Sequence, residues 1–283
     1  MVSIVKHKGS DAVYAKHDPA TAIASLFRPV CPGRRPKGLD ITITHDGSSL
    51  RFVCFEWLDM RDQSVLLAAI SLAGLEGDWL SAESPSEGAQ KLWLGLEPEA
   101  LALRDKARAF KTTRYALLLA AGMTDSKQNY KRLEEILFRL SNVGCGVRTP
   151  DGFWSMHMMS FSVSADSTIN IALNGRFAKA ITGYHHIRIS LKERHELKSD
   201  IARLVHAQIC ARLKPGKFWS YNIDNFAENL WGEIAANKKT LENRRKSVLG
   251  GFCMVLKLSN WQGKISGRGS KMKAEIFRPP ADF

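Results

Sequence analysis

The sequence lacks the features that mark a membrane or secreted protein. No apolar run among its 283 residues approaches the roughly 20 residues that a helix needs to span a bilayer. Charged residues interrupt the N-terminal region where a signal peptide requires an apolar core, so we expect a cytoplasmic protein. The five cysteines are odd in number, widely spaced and without a Cys-x-x-Cys pair, which argues against a disulfide framework and a zinc ribbon. We expect reduced thiols that are mostly buried.

The sequence also lacks the motifs of nucleotide-driven and metal-dependent enzymes. It contains no Gly-Lys-Ser/Thr phosphate loop, and Gly267-Arg-Gly269 is too short to grip a nucleotide. The adjacent His185 and His186 would point to opposite faces of a strand, so they do not predict the His-x-His metal site of a rolling-circle nuclease. We therefore expect no catalytic residues, no metal and no cofactor.

Positive charge, by contrast, is abundant and lies mainly at the two ends of the chain. The formal net charge is +13, from 41 Lys and Arg against 28 Asp and Glu. Residues 233–283 hold eleven basic and four acidic side chains, residues 1–38 hold seven and two, and residues 39–232 are nearly neutral. A positive field that is concentrated in segments most commonly attracts a phosphate backbone, although a basic surface for solubility is the alternative.

Residues 1–38 are predicted to form a basic, proline-rich N-terminal arm. They include four prolines and the run Cys31-Pro-Gly-Arg-Arg-Pro-Lys-Gly38, which cannot continue a helix or a central strand. Leu26 and Phe27 are the apolar exceptions in a segment with few periodic apolar positions. We therefore expect the arm to contribute to DNA affinity and not to folding.

Residues 39–175 are predicted to form a first winged-helix domain. Two strands turn at Asp46-Gly47, and a helix follows with Asp62 as its N-cap. Thr112 or Thr113 caps a later helix, and a glycine-containing turn leads to another helix that is apolar on one side and basic on the other. This order is the layout of a helix-turn-helix.

A β-hairpin wing is predicted directly behind this helix-turn-helix, from Val143–Arg148 and Phe153–Phe161. The start of the second helix would reach base edges in a major groove, while its basic face and the wing would hold phosphates. The DNA-binding candidates of this domain are Ser126, Lys127, Asn129, Lys131, Arg132 and Arg148.

Residues 176–283 are predicted to form a second winged-helix domain. A strand, a long helix, a helix-turn-helix and a hairpin recur here in the same order, without residue-level identity between the halves. Asn222 caps one helix, which ends at Gly232, and Asn237 or Thr240 opens the next, strongly basic helix. The predicted fold class is therefore α+β, with two tandem winged-helix domains behind the arm.

The second domain is expected to bind DNA more strongly than the first. Five cations lie on its basic helix and only Glu242 offsets them, and the wing loop after Asn260 adds further cations without any acid. Its DNA-binding candidates are Lys238, Lys239, Thr240, Arg244, Arg245, Lys264, Arg268, Lys271 and Lys273. Among them Lys238, Thr240 and Arg244 are the predicted base readers.

Several short segments, taken in order and spacing, carry a resemblance to a known family. They are His17-Asp-Pro19, Leu26-Phe-Arg28, Glu87–Pro98 (EGAQKLWLGLEP), Leu173-Asn174, His186–Ser190, Ile201–Cys210 (IARLVHAQIC), Pro215-Gly-Lys217 and Arg278-Pro279. In this pattern the chain resembles the RepC replication initiators of IncQ-type plasmids. The resemblance implies a protein without enzyme activity that binds repeated origin sequences (iterons), helps to open the origin and brings in a replicative helicase.

The partners implied by the resemblance are double-stranded DNA with direct repeats and a plasmid-encoded replicative helicase. The protein would act as a monomer or a dimer, and no membrane is implied.

A winged-helix transcriptional repressor would share the charge pattern but usually carries one DNA-binding module with a ligand or dimerisation domain. A relaxase-like nickase would need a metal and a nucleophile. A DNA footprint separates these alternatives, because direct repeats favour an initiator, one palindrome favours a repressor, and a nick favours an enzyme.

Overall fold

The computed structural model describes residues 13–31, 33, 35–164, 168–183 and 185–280, which form a mixed α+β fold. Its helices are α1 (Pro19–Ile23), α2 (Met60–Glu76), α3 (Glu87–Leu94), α4 (Arg114–Ala120), α5 (Lys127–Ser141), α6 (Gly175–Thr182), α7 (Leu191–Glu196), α8 (Asp200–Arg212), α9 (Ile223–Trp231) and α10 (Lys238–Val255). Its strands are β1 (Tyr14–His17), β2 (Lys37–His45), β3 (Ser48–Glu56), β4 (Asp78–Leu80), β5 (Glu99–Ala100), β6 (Ala107–Thr113), β7 (Gly144–Thr149), β8 (Gly152–His157), β9 (Met159–Val163), β10 (Thr168–Leu173), β11 (Ile187–Ser190), β12 (Phe218–Asn222), β13 (Gln262–Ser266) and β14 (Lys273–Phe277).

The N-terminal segment belongs to the folded core, so the prediction of an arm is wrong for residues 13–31. Strand β1 pairs antiparallel with β11, with Ala15 opposite Ile189. Leu26 and Phe27 are buried in the main hydrophobic cluster. The sequence pattern missed this packing because the strand finds its partner far away in the chain, and because Pro19 is the first residue of α1 and Pro36 directly precedes β2, positions where a proline is tolerated. Residues 1–12 of the predicted arm lie outside the described residues.

Helix α2 lies at the centre of the core, and every residue from Asp62 to Ala73 is buried. Its N-cap is Asp59, and Asp62 completes a capping box from the third helical position. The buried Asp62 carboxylate also pairs with Arg35 and Arg139, each at 2.9 Å. These ion pairs fix the start of α2 to the segment before β2 and to the last turn of α5.

A five-stranded sheet of order β2-β3-β7-β8-β5 packs on this core. Strands β2 and β3 form the hairpin that was predicted at Asp46-Gly47, where φ is +47° and +72°. The hairpin β7–β8 pairs with β3, and Phe52 lies opposite Cys145. The hairpin predicted behind the second helix is therefore present as β7–β8, with Thr149 opposite Gly152, but it belongs to the sheet of the first hairpin and does not form a separate wing. Its second predicted strand is interrupted at Met158, which separates β8 from β9.

One order of elements occurs twice in the chain. The first repeat follows the order α2, β6, α4, α5, β9 and β10, with β4, α3 and β5 inserted after α2 and the hairpin β7–β8 inserted after α5; β10 lies between β6 and β9 in the sheet β4-β6-β10-β9. The second repeat is α8–β12–α9–α10–β13–β14, in which β14 lies between β12 and β13. The recurrence read from the sequence is thus present, but the hairpin that closes the first repeat is β9–β10.

The two repeats share one hydrophobic core. Helix α8 packs against α10 and also against α1 and α2. The buried Arg278 closes the C-terminal end of α8, since its guanidinium donates to the carbonyls of Cys210 (2.8 Å) and Leu213 (2.7 Å). It also donates to the carbonyl of Arg188 in β11. Because the last carbonyls of a helix lack partners within the helix, Arg278 both caps α8 and joins it to the β1–β11 ribbon.

Candidate nucleic-acid interface

Helix α10 is held with one side inward and the other toward solvent. Asn237 caps its N-terminus by accepting from the Thr240 backbone N–H at 2.9 Å, which decides between the two predicted starts. Val248, Phe252 and Val255 are fully buried along the inner side. The outward side is left for contacts with another molecule.

Unpaired cations of the second repeat lie on this outer surface. Lys238 and Lys239 are exposed, and neither has an ion-pair or hydrogen-bond partner among the described residues. Lys246 is equally exposed and unpartnered, although it was not among the predicted site residues. Its signal in the sequence is the seven-residue spacing from Lys239, which places both side chains on one side of the helix. Glu242 is an exposed acid of the same helix.

Arg244 is not part of the outer surface, so its predicted contact with base edges is wrong. It is only 8% exposed, and its guanidinium donates to the backbone carbonyl of Glu233 at 2.9 Å and to the Glu233 carboxylate at 2.6 Å. It also lies over the Trp231 ring, 5.2 Å from the centroid. Position 244 falls on the same side as Val248, one turn later, and therefore faces the protein. Thr240, another predicted base reader, is partly exposed.

Arg245 forms a two-pronged ion pair with Asp224 at the start of α9. Its Nε and Nη2 donate to the two carboxylate oxygens at 2.8 and 2.7 Å. These hydrogen bonds to Asp224 raise the pKa of Arg245 above its ordinary value. Because such bidentate pairs have a fixed geometry, Arg245 sets the position of α9 against α10.

The hairpin β13–β14 carries a second group of unpaired cations at its tip. Arg268, Lys271 and Lys273 are exposed and have no ion-pair partner in the described part of the chain. Lys264 is also exposed, but it pairs with Glu275 across the hairpin at 3.2 Å. Three of the four hairpin candidates are therefore free to meet a phosphate.

The backbone of this hairpin tip is held in place by Asn222. Its side-chain oxygen caps α9, and its amide nitrogen donates to the carbonyl of Ser270 at 2.9 Å. Gly267 has φ of +81°, and a Cβ there would collide with the carbonyl of Lys271, so the turn requires glycine. One asparagine thus positions both the second helix pair and the basic tip.

In the first repeat, three of the candidates serve the turn before α5. Ser126 caps α5 by accepting from the backbone N–H of Asn129 at 3.2 Å. The Asn129 amide donates to the carbonyl and hydroxyl oxygens of Thr124 at 2.8 and 2.9 Å, and its own oxygen accepts from Arg132 at 3.2 Å. Ser126 and Asn129 therefore use their side chains to hold the start of α5, and Arg132 contributes one of its guanidinium nitrogens.

Lys127 and Lys131 are the candidates of the first repeat that remain exposed and unpartnered in the described structure. The exposed Glu134 and Glu135 lie on the same helix, and Glu134 pairs with Arg114 at 2.9 Å. The α5 surface thus carries mixed charge, which weakens its attraction for a phosphate backbone.

Arg148, the last candidate of the first domain, lies on the five-stranded sheet. It is opposite Ser49 of β3, and its guanidinium is 5.8 Å from the centroid of the Phe153 ring on β8. The structure therefore does not bring Arg148 into the hairpin that closes the first repeat. A local pattern cannot reveal this, because the pairing of β7 with β3 is a long-range contact.

Two cations of the predicted arm are used inside the fold. Arg28 is buried, donates to the Ser25 carbonyl at 2.9 Å and lies over the Trp57 ring at 4.7 Å. Arg35 pairs with Asp59 at 2.7 Å in addition to Asp62. The excess charge of the N-terminal segment is therefore only partly available to a ligand.

The described residues contain no group of three or more His, Cys, Asp or Glu side chains that could hold a metal ion. Nδ1 of His186 lies 3.0 Å from the carbonyl oxygen of Gly183. All cysteines are free; Cys54, Cys145 and Cys210 are buried, and Cys31 and Cys253 are exposed. Among the helices in the described ranges, none has the length and apolar character to cross a membrane.

The fold is similar to that of two domains of RctB. A crystal structure of selenomethionine derivatives of domains 2 and 3 of RctB matches 93% of this chain and 99% of its own, with a TM-score of 0.57 and 8% sequence identity. A crystal structure of RctB domains 2–3 matches 91% of this chain and 95% of its own, with a TM-score of 0.48 and 9% identity. No curated protein sequence matches the chain. At such low identity, the first likeness shows a shared fold.

A family assignment covers nearly the whole chain. The sequence model for replication protein C (RepC) matches residues 9–279, which include both repeats and the N-terminal segment from residue 9. The resemblance drawn from short segments is therefore confirmed at the level of the family. The chain belongs to the replication protein C (RepC) family of replication initiators.

Proposed function

We propose that this chain is a sequence-specific initiator of plasmid replication that binds iterons in double-stranded origin DNA, as IncQ-type initiators do. It helps to open the origin and to load a plasmid-encoded replicative helicase, and it does so in the cytoplasm without cleaving DNA. Family membership supports the role in initiation. Helicase loading and action as a monomer or dimer rest on the resemblance to IncQ-type initiators.

The observation that carries DNA binding is the contrast between engaged and free cations. Many arginines have carboxylate or carbonyl partners inside the fold; those near the two basic ends of the chain include Arg28, Arg35, Arg244, Arg245 and Arg278. The exposed cations of the second repeat that lack an ion-pair partner among the described residues include Lys238, Lys239, Lys246, Arg268, Lys271 and Lys273. Free cations on one repeat produce an open positive field, which a phosphate backbone can neutralise with release of counterions.

We further propose that each repeat is a winged helix, within the predicted domains 39–175 and 176–283. The order helix, strand, two helices and hairpin, with the last strand beside the first, supports this assignment. In it α5 and α10 are the helices that approach the major groove, and the hairpins β9–β10 and β13–β14 are the wings. Two such modules on one chain would contact successive turns of a duplex, and tethering would raise the effective concentration of the second contact.

A footprint of the full chain on the non-coding DNA beside its gene tests the proposal. We expect protection of direct repeats, and an affinity that falls with salt at a slope of about −0.9 for each phosphate contact. A duplex of equal length with scrambled repeats is the control. Protection of a single palindrome would favour a repressor, and a nick or a covalent protein–DNA adduct would favour an enzyme.

A further inference from the structure

Two positions on the outward side of α10 have no role inside the described molecule. Asn243 is exposed, and its amide has no hydrogen-bond partner among the described residues. Gly250 is exposed, and a Cβ built on it meets no atom within 4 Å. Asparagine and glycine are both poorer helix formers than alanine. The fold therefore gains nothing from either residue at these positions.

Asn243 and Gly250 lie on one line along the helix. Seven residues make almost two turns, so both positions face the same side and are about 10 Å apart along the axis. Lys239 lies one turn before Asn243, and Lys246 lies one turn before Gly250. Both lysines are exposed and unpartnered in the described structure. The line thus alternates a cation with a residue that the fold does not need.

The neighbouring Gly251 shows what a glycine required by packing looks like in this helix. It is buried, and a Cβ there would lie 2.8 Å from Cγ2 of Val205 on α8. Gly251 therefore permits the close approach of α8 and α10. Nothing within the described residues approaches Gly250 in this way, so the close approach that it permits is left to an external molecule.

We propose that the line from Lys239 to Gly250 is the surface of α10 that enters the major groove, with Asn243 reading an adenine and Gly250 lying against the DNA. An asparagine amide matches the N6 donor and N7 acceptor of adenine, and a groove about 12 Å wide accommodates an α-helix. Lys239 and Lys246 would hold phosphates at the groove edges. The inference rests on the proposed function, and it assigns base reading to the middle of α10.

Glu242 is the exposed acid beside this line, and it limits how the line can face DNA. A carboxylate is repelled by phosphate, but it accepts a hydrogen bond from the amino group of cytosine at the groove floor. Glu242 lies three residues after Lys239 and four before Lys246, so its carboxylate is next to both lysines and offsets part of the positive field that they present to phosphates. The competing explanation is that Asn243 and Gly250 are ordinary surface positions without a ligand.

The test uses the full chain and a duplex that carries the repeat protected in the footprint. Asn243→Ala and Gly250→Ala are each expected to raise Tm by about 2 °C, because alanine is the better helix former. Each is also expected to weaken binding to the repeat by about tenfold, through a lost base contact or a steric clash. Gly88→Ala is the control: Gly88 is exposed on α3, which packs on β9 and β10 of the first repeat, and a Cβ there meets no atom within 4 Å, so this variant should raise Tm without changing affinity.

A second measurement separates base reading from general loss of binding. Replacing one A·T pair of the repeat should weaken binding of the wild-type chain by about tenfold and of Asn243→Ala by less than about twofold. If the wild-type chain binds the repeat and both variants bind it equally well, this assignment is overturned while the proposed function stands. If the wild-type chain binds no repeat, both fail. A lower Tm for Gly250→Ala would reveal a role in packing and would also overturn the assignment.

Discussion

The tips of the two hairpins that close the repeats differ in charge although the hairpins occupy the same place in the topology. The tip of β13–β14 presents Arg268 and Lys271 without an acid between them. The sequence between β9 and β10, residues 164–167, reads Ser-Ala-Asp-Ser and contains an acid but no base. The helices before these hairpins differ in the same direction, since α10 exposes several lysines against Glu242 and α5 exposes a balance of lysine and glutamate.

This difference indicates that two repeats with the same topology need not contribute equally to binding. The order of elements depends on buried apolar faces, and both repeats satisfy that requirement. Binding depends on the side chains that packing leaves free, and these differ between the repeats. We therefore expect the second repeat to supply most of the DNA affinity, and the first to supply orientation and a large part of the core.

The largest expected effect comes from removing residues 1–36, which include buried side chains of the core that is common to both repeats. A chain that starts at Lys37 lacks β1, the buried Leu26 and Phe27, and Arg35. We expect it to lose its cooperative unfolding transition, because the deletion uncovers β11 and the core and leaves the buried Asp62 with fewer cationic partners. Circular dichroism during heating measures this. A cooperative transition within a few degrees of the full chain would show that the segment is an arm after all.

Two buried histidines predict a dependence of stability on pH, because their pKa values are shifted in opposite directions. Burial lowers the pKa of His17, on β1, to about 4. Burial acts in the same direction on His206, on α8, but Cys210 and Glu193 outweigh it and raise the pKa to about 9. Glu193 lies 2.8 Å from Nε2 of His206.

The free energy of unfolding should therefore decrease on both sides of pH 6.5, the ordinary pKa of histidine. His17 resists protonation in the fold, so stability falls as the pH drops from 6.5 toward 4. His206 retains its proton in the fold, so stability falls as the pH rises from 6.5 through 9. Each limb should amount to about 3 kcal/mol in urea unfolding. His17→Gln should flatten the acid limb and His206→Gln the alkaline one, and limbs unchanged in these variants would contradict the assignment.

A matched pair on α10 separates stability from binding. Arg244→Ala should reduce the free energy of unfolding by about 2 kcal/mol, because a buried guanidinium with two hydrogen bonds and a ring contact is lost. Lys246→Ala should leave unfolding within about 0.5 kcal/mol of the wild type and weaken DNA binding instead. Urea unfolding and fluorescence anisotropy with a duplex measure the two effects. The reverse result would show that α10 meets DNA through the side that the structure buries.

Charge reversals on α10 and α5 should change stability least, and they compare the contributions of the two repeats to DNA binding most directly. Reversing Lys239 and Lys246 to Glu should weaken duplex binding by about 100-fold and reduce the salt slope by about two. Reversing Lys127 and Lys131 should weaken it by no more than about fivefold, since the α5 surface already carries acids. All these side chains are exposed, so both variants should unfold like the wild type. Equal losses of affinity would show that the two repeats contribute alike.

Local sequence signals were sufficient to predict where most of the helices near the candidate site begin or end. Thr113, one of the two predicted caps, caps α4; Asn222 caps α9 and Gly232 ends it, as predicted. A cap needs only a polar side chain and the backbone N–H groups two or three residues later, and this requirement is local. At α2 the predicted N-cap is wrong by three residues, because Asp59 is the cap and Asp62 supplies the other half of the capping box.

The sequence by itself determined the recurring order of elements, the family, and the concentration of cations near the C-terminus. Only the tertiary structure decided which cations are free, since Arg244 and Lys246 lie two residues apart and differ in which side of α10 they occupy. It also decided that β7–β8 joins β3 and that β1 joins β11. Periodicity and capping depend on neighbours within one or two turns, whereas strand partners and ion pairs depend on residues that are distant in the chain and meet only in the folded core.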